Sequence, residues 1–265
     1  MKETLYNWLG LNTWLFHAIN NIHNSLLDQF MLLGTSLGEH ALFTTYIGMT
    51  IITMFISSFV FKDPEIDQQS EMALRVLLAF GVVGLWIDGL AQSWTGIYTV
   101  IVVIIAVFVA SKTKDRHLSQ WLPVIVVFSV AYQLDGYFIG AIKPILDFPR
   151  PLLALPPGTV NVVGIPEYHH SLPSGHSSFA MLCVASLWPI LSRWGRGMGV
   201  FFVLWVGISR VSVGAHFPAD VLAGFTSSLL VVISVRYAIR FVIRPREEFL
   251  IPAPHALALG NQEVL

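Results

Sequence analysis

Residues 172–180 read LPSGHSSFA, a tight polar turn that runs directly into an apolar helix. Pro173, Ser174 and Gly175 make the turn, and His176 follows on the first helical turn. Unpaired backbone N–H groups and the positive end of the helix dipole make that position favourable for an anion. A histidine placed there is positioned to exchange a proton with something negatively charged.

The surroundings of this turn set the class of protein. Of 265 residues, 55% are hydrophobic and 12% charged, and the mean hydropathy is +0.68. An ordinary soluble domain carries charge on about a quarter of its residues, so the composition points to a membrane protein. The net charge of −1 decides nothing by itself. The single cysteine, Cys183, cannot form an intrachain disulfide. The first thirty residues lack the pattern of a cleavable signal peptide, so insertion is expected to rely on internal spans.

Apolar runs at 41–61, 73–91, 97–110, 121–141, 177–192, 198–214 and 219–239 are each near the length that crosses a bilayer core of roughly 30 Å. The expected fold is all-α: a polytopic transmembrane bundle of six to seven spans occupying residues 41–240. Residues 1–40 mix Trp8, Trp14, Phe16, Leu26 and Phe30 with Asn7, Asn12, His17, Asn20 and Asp28, which predicts interfacial amphipathic helices. Residues 241–265, with Pro252 and Pro254, are expected to form a disordered cytoplasmic tail. Lys62, Lys112, Lys114, Arg116, Arg193, Arg196, Arg240, Arg244 and Arg246 collect on one side of this topology. The positive-inside rule makes that side cytoplasmic.

Two further polar islands then face outward with the turn. KPILDFPRP, residues 143–151, offers an ammonium and a guanidinium on a backbone stiffened by three prolines. SRVSVGAHFPAD, residues 209–220, offers Arg210, His216 and Asp220. Three cations, two histidines, a carboxylate and a helix N-terminus are the parts needed to hold and attack a phosphate group. A phosphate ester repels nucleophiles until fixed donors spread its charge, which Lys143, Arg150 and Arg210 are suited to do, helped by the Ser174 hydroxyl and the Gly175 amide. Pro218 suits the first position of a helix. Asp220 then lies where it can take one imidazole proton of His216 and leave the other nitrogen as a nucleophile. His176 is placed to protonate the departing oxygen.

These three islands resemble the signature motifs of the type 2 phosphatidic acid phosphatase family of membrane lipid phosphatases. Lys143, Arg150 and Pro151 fit KxxxxxxRP, residues 173–176 supply PSGH, and Ser209, Arg210, His216 and Asp220 fit SRxxxxxHxxxD. The resemblance covers roughly the C-terminal half and leaves residues 1–120 unexplained. It implies a phosphohistidine on His216, released by water with His176 as base, and neither metal nor cofactor. It also implies a lipid phosphate or diphosphate substrate presented by membrane lipids at the periplasmic face of a bacterial inner membrane, with no nucleic-acid partner. Undecaprenyl diphosphate is the preferred expectation; phosphatidylglycerol phosphate, phosphatidic acid and lipid A stay open, as do a lipid phosphotransferase and a non-catalytic flippase.

Other residues are expected to do plainer work. His169 and His170 read as solvated loop histidines, and Asp88 as an interfacial carboxylate between tryptophans. Asp147 is placed to tune Lys143 or Arg150, and the link at 152–171 to shape head-group choice. A serine hydrolase built on Ser174 is disfavoured, because the nucleophile elbow needs glycine where Leu172 stands. Vanadate should inhibit the protein on the order of 100-fold more tightly than phosphate, since its oxyanion mimics the reacting phosphorus; competition curves for the two anions check this.

Overall fold

The computed structural model describes residues 6–60 and 116–243, and all regular structure among them is helical. The helices are α1 (Leu11–Asn20), α2 (Ser25–Leu37), α3 (Phe43–Val60), α4 (Arg116–Leu146), α5 (Pro151–Ala154), α6 (Gly175–Leu187), α7 (Arg193–Ser212) and α8 (Pro218–Ile243). The apolar runs 73–91 and 97–110, Asp88 and the tail after 243 lie outside the described residues. Trp121–Ala154 and Pro218–Arg240 are long and apolar enough to cross a membrane, and Gly175–Leu187 is apolar but shorter. The described residues therefore carry two of the six to seven expected spans by that measure.

Helix starts follow the local chemistry. Asn24, Ser174 and Ser192 cap α2, α6 and α7 by accepting hydrogen bonds from the backbone N–H three residues on. Proline stands at the first position of α5 and of α8. Between α4 and α5 the chain reverses at Asp147, whose φ of 41° is left-handed.

A core of Phe43, Ile47, Leu122, Ile125, Phe128, Phe179, Leu182 and Val232 fills the space between α3, α4, α6 and α8. Inside it Asp135 has no exposure and accepts hydrogen bonds from Ser178 and Ser228. One buried carboxylate thus pins α4, α6 and α8 together, as a polar group in an apolar bundle must be satisfied internally. Two glycines allow the close crossings. A Cβ on Gly224 would lie 2.5 Å from the Ser174 carbonyl oxygen of α6's cap, and one on Gly207 would lie 2.5 Å from the Phe225 ring.

Residues 6–37 wrap the end of α7 and the start of α8. Phe16 enters a second core with Val211, Phe217 and Val221. Asn12 and Asn20, expected on a solvated polar face, point inward at 1% and 0% exposure, while Leu9 and Trp14 point outward. The Asn20 amide donates to the carbonyls of Asn161 and Ser212 and accepts from Asn161 N–H, tying α1 to the loop before α6 and to the end of α7.

The ends of the helices sort the charges. Lys143, Arg150, His176, Arg210 and Asp220 gather at one end of the bundle; Arg193, Arg196, Arg236 and Arg240 stand at the other. Arg236 there donates to the carbonyls of Ala185 and Ser186 at the end of α6. The 20 residues of α7 separate the two ends by about 30 Å, one bilayer core. Gly224→Ala should lower stability by about 1–3 kcal/mol, because its Cβ meets backbone, which cannot rotate away; thermal unfolding in detergent measures it.

Candidate active site

His216 sits in the short link between α7 and α8, buried to 1% exposure. Its backbone N–H, with that of Ala215, donates to the Arg210 carbonyl, so the end of α7 sets its position. Arg150 donates from Nη1 to Nε2 of His216 at 3.1 Å. An Nε2 that accepts from a guanidinium holds its lone pair on that side, which leaves the ring proton on Nδ1. Nδ1 faces the Asp220 Oδ2 at 3.4 Å. Asp220 lies on the first turn of α8 and is wholly buried. It also accepts from the Ser171 hydroxyl, from the Phe217 N–H at 2.8 Å and from the Tyr6 hydroxyl at 2.7 Å. The sequence reading expected Asp220 on one ring nitrogen and the other unengaged; Nδ1 does face Asp220, and Nε2 is engaged by Arg150.

Arg150, at the start of α5, and Arg210, in the last turn of α7, converge on one carboxylate. Glu167 places Oε2 against Arg150 Nη1 at 2.5 Å and Oε1 against Arg210 Nη2 at 3.1 Å. Arg150 is held by further bonds to the carbonyls of His169 and Ala215. The Nε of Arg210 is buried and has no hydrogen-bond partner among the described residues. A buried guanidinium N–H without an acceptor is costly, and an oxyanion lying between the two arginines is the group that would satisfy it. Nothing in the sequence marked Glu167, because its role depends on which arginines the fold brings to it.

The PSGH turn forms the neighbouring wall. A Cβ on Gly175 would lie 3.6 Å from His40 Nε2 and 3.9 Å from Lys143 Nζ, so glycine keeps this wall open beside the lysine. His40 precedes α3 and donates from Nε2 to the Gly175 carbonyl at 3.0 Å. The Ser174 hydroxyl is wholly buried and accepts from the Ser177 N–H and hydroxyl, so its observed work is capping α6. His176 is half-buried on the first turn of α6, within electrostatic reach of Arg210, His216, His40 and Lys143. Asp147 departs from expectation: it turns away from Lys143 and Arg150 to face His170 at 3.2 Å and His169 at 3.8 Å, both substantially exposed. Its left-handed backbone sends the side chain outward. Tyr6, His40, Glu167 and Ser171 were not singled out from the sequence, since they lie outside the three motifs.

The stretch that carries these residues resembles known proteins. Residues 122–244 match the PAP2 superfamily, and with all three motifs complete inside that stretch the segment is a PAP2 domain. Lipid A 1-phosphatase of Rhizobium johnstonii is 34% identical over 142 residues, 51% of this chain and 57% of that protein. The Rhizobium etli lipid A 1-phosphatase is 34% identical over 80 residues, covering 28% and 34%. Undecaprenyl-diphosphatase of Sulfolobus acidocaldarius is 28% identical over 100 residues, covering 38% and 44%. The chain thus spans about a third to just over half of the length of these curated relatives. The crystal structure of Aquifex aeolicus LpxE superposes with a TM-score of 0.49 at 20% identity, covering 85% of this chain and 94% of that one.

Burial, and then the cations Arg150, Arg210 and Lys143, hold His216 well below its usual value of 6.5, so the folded protein keeps it neutral. Once unfolded it takes up a proton as pH falls through about 6.5, so its contribution to stability is present above that pH and lost below it. The melting temperature of His216→Gln should therefore fall less between pH 7 and pH 5 than that of the wild type.

Proposed function

We propose that this protein is an integral-membrane phosphatase that removes phosphate from a lipid phosphate or diphosphate through a phosphohistidine on His216. The observation that carries this reading is the orientation of the His216 ring, with Nδ1 on Asp220 and Nε2 in a pocket of guanidinium groups. The phosphoryl group takes the place of the Glu167 carboxylate, its oxygens neutralised by Arg150, Arg210 and Lys143 and one of them meeting the free Nε–H of Arg210. Arg150 turns from Nε2 to the phosphoryl oxygens, and the Nε2 lone pair so released attacks phosphorus as the bond to the lipid oxygen breaks. His176 gives its proton to that oxygen. His176 then removes a proton from water, which attacks phosphorus, breaks the N–P bond and frees inorganic phosphate and neutral His216. Asp220 holds the Nδ1 proton throughout, stabilising the charge that develops on the ring.

The lipid substrate is supported by the site's place at one end of an apolar bundle. Large apolar side chains face outward along α7 and α8, among them Phe201, Leu204, Leu229, Leu230 and Ile233, as expected where the surroundings are lipid. A substrate tail stays among those chains while its head group reaches the pocket. Residues 6–40 lie at the membrane surface on the side of the site, and the end bearing Arg193, Arg196 and Arg240 faces the cytoplasm, so the pocket opens to the periplasm. Within this class the named relatives favour lipid A phosphate and undecaprenyl diphosphate equally. The chemistry requires no metal ion, because arginine and lysine supply the positive charge.

His216→Ala and His176→Ala should each lose at least about 1,000-fold in turnover while remaining folded. Inorganic phosphate release from lipid A, undecaprenyl diphosphate, phosphatidylglycerol phosphate and phosphatidic acid in micelles, with EDTA present, measures this. Turnover persisting in His216→Ala would refute the covalent route. Phosphate transfer that needs an added acceptor lipid would instead identify a phosphotransferase.

A further inference from the structure

We infer that Tyr6 is a positioning residue for the reaction, so that the N-terminal segment, far outside residues 122–244, completes the site. The inference rests on the phosphohistidine reading above. The two oxygens of Asp220 have unequal company. Oδ2 accepts from Ser171, from the Phe217 N–H and from His216, whereas Tyr6 donates to Oδ1 at 2.7 Å. A carboxylate turns easily about its terminal bond. A donor on each oxygen fixes its plane and therefore the direction from which Oδ2 meets the His216 ring.

The tyrosine is itself built into place. Asn12, 1% exposed, donates from Nδ2 to the Tyr6 carbonyl at 3.1 Å and accepts from the Ala219 N–H through Oδ1 at 2.9 Å. One buried amide thus locks the Tyr6 backbone in register with the residue preceding Asp220. The ring stacks on Phe148 with centroids 4.5 Å apart and meets Phe217 edge-on at 5.8 Å. Phe148 belongs to the loop that carries Arg150, and Phe217 follows His216, so the ring touches both segments that must meet at the phosphorus. Burial and the Asp220 charge raise the Tyr6 hydroxyl above its ordinary value of 10, so it keeps its proton and donates to the carboxylate.

The test uses the full chain in detergent, with phosphate release from whichever lipid of the panel it hydrolyses. Tyr6→Phe keeps the ring contacts and removes the donor. Its kcat should fall on the order of 10- to 100-fold, as when a supporting hydrogen bond to a reacting ligand is lost, with KM unchanged and the protein still folded. Asn12→Ala, which loosens Tyr6 without touching Asp220, should lower kcat less, again at constant KM, and carries the test if Tyr6→Phe unfolds. Wild-type kcat in both variants would overturn the inference, and so would a raised KM at unchanged kcat, which makes Tyr6 a substrate contact. His216→Ala run in parallel separates the two levels. If it still turns over, the phosphohistidine reading has failed; if it is inactive while Tyr6→Phe is normal, only the role of Tyr6 has.

Discussion

A single carboxylate with no exposure to solvent governs this molecule. Asp220 sits at the start of α8 in an apolar bundle, where an unpaired charge would be prohibitively costly. Its four donors come from three places: Tyr6 before α1, Ser171 before α6, and His216 and Phe217 on its own link. Its backbone carbonyl accepts from the Ser174 N–H, which joins α8 to the PSGH turn. Satisfying this one group therefore draws together segments more than two hundred residues apart. Assembling the fold and orienting the His216 ring are the same event.

A second constraint comes from the buried cations. Arg150 and Arg210 are 7% and 4% exposed, and removing a charge from water is repaid only by good partners. Glu167 supplies one oxygen to each arginine. Arg210 nevertheless retains an N–H without a partner among the described residues. The two arginines thus share one carboxylate, and the pocket is incompletely hydrogen-bonded. A tetrahedral oxyanion, with more acceptor positions than a carboxylate, is the better match. The stored preference for an anion comes from desolvation already met during folding.

Legibility in the sequence followed the range of the interactions. KPILDFPRP, PSGH and SRVSVGAHFPAD were readable because proline, glycine and helix-capping residues constrain the backbone locally and announce a helix start. Asp147 lies inside the first of these motifs and was misplaced, since a left-handed φ, not proximity in the chain, decides where its side chain points. Asn12 and Asn20 read as a polar surface face because amphipathicity reports only that one side differs. In an apolar surrounding the polar side turns inward, here to hold the backbone of Asn161, Ser212 and Ala219. The pairing of Asp135 is silent in the sequence for a similar reason: its partners Ser178 and Ser228 lie on other helices and carry no pattern of their own.

The sequence alone determined the helical class, the apolar runs among the described residues and the polar motifs at one end of the bundle, because these depend on composition, hydrophobic length and short-range turn chemistry. The tertiary structure decided which nitrogen of His216 meets Arg150, that Glu167 bridges the two arginines, and that Tyr6 reaches Asp220. Those outcomes depend on distances between segments far apart in the chain. Helix crossings through Gly207 and Gly224, together with the pairing of buried polar groups, set them.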